Sequence, residues 1–132
     1  MQVITTPPTT QGPAELFTGT VHFDVVARGE VPSRMRVNTV RFAPCARTAW
    51  HSHSLGQTLH VTEGVALLGS RDGTVIEALP GQTIYTPPGE EHWHGATPDD
   101  YMEHLAMIES ADDPSTTTTW LEHVSDDDYR RP

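Results

Sequence analysis

From residue 18 to residue 124 no apolar pattern keeps a 3.6-residue period for three turns, and the chain is cut instead into short alternating or β-branched runs. These runs predict strands at 18–27, 35–42, 47–53, 58–63, 65–70, 74–79, 82–86, 92–96, 102–108 and 118–124. Turn signals punctuate them at Arg71-Asp72-Gly73, Pro80-Gly81 and Pro87-Pro88-Gly89. Many short strands at such spacing fold as a sandwich or a barrel, and 132 residues suffice for one such domain but not two. The expected organisation is an extended N-terminal arm over residues 1–13, one domain over 14–125, and a tail over 126–132 that ends as a frayed turn or short helix.

Composition narrows the chemistry. The formal charge is −10, with acids gathered in predicted turns such as Asp99-Asp100, Asp112-Asp113 and Asp126-Asp127-Asp128. That charge argues against nucleic acid and anionic membrane as partners. There is no lysine, all eight basic residues being arginine, so Schiff-base catalysis on a lysine is excluded. The one cysteine, Cys45, can form no internal disulfide and is expected as a buried or half-buried structural thiol at the turn after Pro44. No long apolar run or signal-peptide pattern is seen, and a cytoplasmic location is the expectation.

Two histidine segments carry the functional signal. In Trp50-His51-Ser52-His53 the imidazoles are two residues apart, so on a strand both project from one face, with Ala49 on the same side and Trp50 and Ser52 opposite. Gln57 follows beyond Leu55-Gly56, far enough for the chain to turn. In Glu91-His92-Trp93-His94 the second pair shares a face in the same way. One imidazole from this segment would complete three nitrogens and an amide oxygen, a set suited to a divalent first-row metal with open positions. On the next predicted strand Met102, His104, Ala106 and Ile108 share a face, which makes His104 a candidate for the same cavity. His22, His60 and His123 fall outside the pattern and are expected at the surface, and the three tryptophans are expected as packing or subunit-contact residues.

The order Cys45–His51–His53–Gln57–Gly64, followed by Gly81–Pro87–Pro88–Gly89–His92–Ala96, resembles the two cupin motifs in spacing and sequence. Gln57 stands where the family usually has glutamate, Cys45 where it opens on glycine, and Ala96 where it closes on asparagine. The runs from Ala46 to Leu59 and from Gly89 to Ala96 are similar to the small bacterial cupins that include manganese-dependent hydroxynitrile lyases. Phe17 to Val21 and Trp120 to Asp126 extend that likeness almost from end to end.

The resemblance implies an all-β fold, the cupin double-stranded β-helix or jelly-roll barrel, with one divalent metal ion at its mouth held by His51, His53, Gln57 and His92. Mn(II) is favoured, with Fe(II), Ni(II), Co(II) and Zn(II) as alternatives. It further implies catalytic roles for His94 and His104, of which His104 is expected as the base, and a substrate pocket lined by Asn38, Val40 and Ile108. The activity implied is reversible cleavage of a cyanohydrin to an aldehyde and cyanide. A metal-dependent dioxygenase and a non-enzymatic small-ligand-binding module are the alternatives. The expected partners are a small-molecule substrate and a second copy of the chain, as a homodimer or a tetramer.

Overall fold

The computed structural model describes residues 1–129. Its strands are β1 (Thr10–Gln11), β2 (Phe17–Thr18), β3 (Val21–Arg28), β4 (Met35–Phe42), β5 (Arg47–Thr48), β6 (His51–His53) and β7 (Gln57–Gly64), then β8 (Ala66–Ser70), β9 (Val75–Ala78), β10 (Thr83–Thr86), β11 (His92–Ala96), β12 (Met102–Glu109) and β13 (Thr118–Trp120). A single α-helical turn, α1 (Asp126–Tyr129), follows. Among the described residues no helix is long and apolar enough to cross a membrane.

One sheet runs in the order β1-β3-β4-β12-β7-β10 and is antiparallel throughout. The second is built around β11, with β8 and β9 on one side and β5 and β6 on the other, and continues to β2 and β13. The two sheets face each other as a jelly-roll barrel. Val21, Phe42, Leu59, Val61, Leu68 and Met102 pack between them, each at most 6 % exposed. β4 and β11 have the ends that their sequence predicted.

The run predicted as one strand over 47–53 is two, and backbone hydrogen bonding explains the break. Arg47 pairs with Gly95 and His51 with His92, so four steps on one side oppose three on the other. The extra residue is accommodated at Ala49-Trp50, whose N–H groups leave the ladder and donate to Leu16 O and Glu122 O. This re-aims the histidines of β6 while leaving Trp50 on the outer face. There Trp50 packs with Trp93, Val124 and Tyr129 in a second buried cluster.

The C-terminal segment forms the short helix of the two forms expected, and it is held firmly. Tyr129 is buried and its hydroxyl donates to Ala96 O at 2.6 Å. Arg47, 4 % exposed, lies 4.5 Å from the Tyr129 ring centre and bonds both Val124 O and Asp126 at 2.9 Å. Residues 130–132 of the expected tail lie outside the described residues. At the other end, the expected arm over 1–13 gains a short strand where Thr10 and Gln11 pair with Phe23 and His22.

Cys45 is exposed, not buried or half-buried. The Ala46 N–H donates to Ala43 O at 2.9 Å, and Cys45 has φ of 69°. Pro44 therefore occupies the second position of a type II-like turn and Cys45 the third, where a positive φ favours glycine. The position demands backbone freedom. Cys45→Gly is expected to stabilise the protein by about 1 kcal/mol, the typical relief of a left-handed side chain less the chain entropy of glycine. A urea melt with an unchanged or lower midpoint would contradict this.

Candidate metal centre

The loop between β6 and β7 brings Gln57 back beside the two histidines. Gly56 has φ of +80°, and a Cβ there would come 2.9 Å from Thr86 O, so only glycine makes this turn against β10. His92 enters from β11, directly opposite His51. Ligand nitrogens of His51, His53 and His92 lie within 4.8 Å of one another, and all three residues are buried.

The hydrogen bonds around these rings decide which nitrogen is bare. His51 Nδ1 donates to Ala49 O at 2.9 Å, and His92 Nδ1 donates to Glu90 O at 2.9 Å. Each backbone carbonyl fixes the proton on Nδ1 and leaves Nε2 with its lone pair. His53 Nδ1 lies 3.1 Å from Thr118 Oγ1, while its Nε2 is buried with no partner. Gln57 Oε1 sits 3.1 Å from His92 Nε2, so an oxygen lone pair faces a nitrogen lone pair. A cation between them would satisfy both lone pairs, and three neutral nitrogens with an amide oxygen are a donor set for a divalent first-row ion.

Electrostatics point the same way. Burial, then the neighbouring His92, holds His51 well below the usual imidazole value. His53 is pushed down to about 4 by burial and by His92, and burial lowers His92 itself. These rings are neutral near pH 7, the form that binds metal.

Beyond the cluster the barrel holds a cavity of about 360 Å³. Asn38, Val40 and Ile108 line it, together with His51, His53 and Gln57. The two remaining histidines differ. His94 lines the cavity, and its Nε2 is buried with no partner. His104 is 1 % exposed and is not among the lining residues; its Nε2 lies 2.9 Å from His94 Nδ1. His104 thus stands behind His94, between it and the apolar core, with its ring 5.3 Å from that of Phe42. Burial puts His94 well below the usual imidazole range and His104 at about 4.

Several residues here had no signal in their own segment. Thr48 Oγ1 accepts from the His94 backbone N–H at 3.2 Å and sits 3.5 Å from His51 Nδ1. Thr118 supports His53 from 65 residues away. Trp120 is not a packing or subunit-contact residue alone: it lines the cavity and lies over the His51 ring with centroids 4.6 Å apart. Arg36 also lines the cavity, and that could have been read from its parity with Asn38 and Val40 on β4. His22, His60 and His123 take no part in the cluster.

Two facing antiparallel sheets with converging imidazoles at an apolar cavity define a jelly-roll barrel with a candidate metal centre. The chain belongs to the cupin family: residues 38–108 match the Cupin domain. It is 46 % identical over 121 residues to an (R)-mandelonitrile lyase from Granulicella tundricola, covering 92 % of this chain and 91 % of that protein. Among solved structures, a cupin-like protein from Thermotoga maritima superposes with a TM-score of 0.84 at 33 % identity, covering 92 % of this chain and 90 % of that one. A polyketide cyclase from Streptomyces resistomycificus, at 21 % identity and a TM-score of 0.71 over 98 % of this chain and 90 % of its own, shares the fold.

Proposed function

We propose that this protein is a metal-dependent lyase that cleaves cyanohydrins reversibly to an aldehyde and cyanide. The observation that carries the reading is a bare, buried imidazole nitrogen, His94 Nε2, on the wall of the cavity that also holds the three-histidine cluster. The 46 % identity to a mandelonitrile lyase supports the choice of reaction.

His51, His53, Gln57 and His92 would hold one divalent ion, Mn(II) in our reading. Bound there, it would supply a Lewis acid to polarise the substrate oxygen. The remaining work falls to side chains of this chain. The lining is largely apolar, with Val40, Ile108 and Trp120 among the residues that keep water from the substrate ring. His94 Nε2 accepts the hydroxyl proton, the C–CN bond breaks, its electron pair leaves with cyanide, and the carbonyl forms. His104 Nε2 lies 2.9 Å from His94 Nδ1; in our reading His94 Nδ1–H donates to it, so that His104 orients the base and steadies the imidazolium while it lasts. The proton then passes from His94 to cyanide, which restores the neutral base. In this assignment the expected order is reversed: His94 acts on the substrate and His104 positions it.

The test is release of cyanide and benzaldehyde from racemic mandelonitrile by protein stripped of metal and refilled with manganese. Manganese-dependent, enantioselective release is expected. Release no faster than that of the stripped protein would rule the reading out.

A further inference from the structure

Six of the eight arginines are described, and four of them have carboxylate partners: Arg34 with Asp112, Arg41 with Asp24, Arg47 with Asp126, and Arg71 with Glu91 and Glu122. Arg28 and Arg36 have none among the described residues, although the chain carries a formal charge of −10. These two are not scattered. A register shift between Val25 and Ala27 sets Arg28 directly opposite Arg36 across β3 and β4. Two like charges in directly opposed positions cost stability in a sheet.

Arg36 is half-buried and lines the cavity, and no aspartate or glutamate is found among the described lining residues. Its Nη1 donates to Met35 O at 2.8 Å, which leaves the other guanidinium N–H groups to serve a ligand. From Arg36 to Val40, which stands opposite His104, β4 advances about 13 Å. A separation of that order along the strand leaves room for one benzene ring between Arg36 and the histidines. The cavity volume of about 360 Å³ is in the range of small-ligand sites.

We propose that the cavity is built for an aromatic aldehyde, or its cyanohydrin, that carries a carboxylate, with Arg36 seating the anion and Arg28 adding positive potential behind it. This rests on the lyase reading for the reacting end of the substrate, and adds an anion site at the opposite end. A guanidinium fork matches a carboxylate bidentately.

Isothermal titration of the manganese-loaded protein with 4-formylbenzoate and with its methyl ester separates charge from shape. The carboxylate is expected to bind about tenfold more tightly than the ester, the usual worth of a hydrogen bond to a charged group. Arg36→Gln is expected to bring the ratio of the two dissociation constants close to one, and Arg36→Lys to restore part of it. Equal affinities in the wild type, a ratio unchanged by Arg36→Gln, or binding of neither probe would overturn the anion site. Mandelonitrile cleavage carries no carboxylate and reports on the lyase reading alone, so the two failures are distinguishable.

Discussion

His94→Gln is expected to lower cyanohydrin cleavage by about 10²–10⁴-fold, the usual cost of losing a positioned base, while manganese content stays at one ion per chain. His94 Nε2 is the unpartnered imidazole nitrogen on the cavity wall that does not belong to the three-histidine cluster. His104→Gln is expected to cost less, because His104 does not line the cavity and contacts His94 from behind. It is also expected to shift the pH dependence of kcat, since in the proposed arrangement the proton on His94 Nδ1 is held by His104. Both variants are to be read beside manganese content and a thermal melt, so that misfolding is not mistaken for lost chemistry. An inactive, metal-loaded His104→Gln beside an active His94→Gln would return the role of base to His104.

The second large effect concerns the ion. His53→Ala is expected to lose bound manganese on dialysis, to fall to the rate of stripped protein, and to lack the rise in melting temperature expected of the wild type on manganese loading. His53 contributes a buried Nε2 with no protein partner, so its removal leaves two imidazoles and one amide oxygen, all neutral, to hold a dication. A ligand that binds only the folded state raises the melting temperature by mass action, so the thermal shift reports occupancy without any turnover. Metal analysis by plasma emission gives the second readout. Retention of stoichiometric manganese together with the thermal shift would remove His53 from the ligand set.

The sites of greatest interest were unevenly legible. His51 and His53 share a face because strand periodicity is two, and that parity survives even though the predicted strand breaks at Ala49-Trp50. Gln57 required only a turn of the right length, which Gly56 supplies. By contrast, Thr118 and Trp120 approach the histidines through the pairing of β13 with β6, and nothing within 118–124 marks them as site residues. Cys45 shows a third case. Its place as a substitute for glycine was readable from motif spacing, whereas its exposure and positive φ belong to the folded turn.

His94 and His104 mark the boundary most clearly. Parity assigns both to an inward face, since each alternates correctly along its own strand. It says nothing about depth, because the same period describes a side chain at a cavity wall and one a layer behind it. The packing of β11 against β8 and of β12 against β4 and β7 sets that depth, and puts His94 at the cavity with His104 at its back. Local alternation and turn chemistry thus gave short strands in a sandwich or barrel with histidines sharing a face, and the cupin resemblance supplied the jelly roll and the full ligand set. Only the closing of two sheets on one another decided which buried imidazole lines the cavity and left Arg28 and Arg36 without carboxylate partners among the described residues, because those outcomes depend on distances across the barrel that no period along the chain encodes.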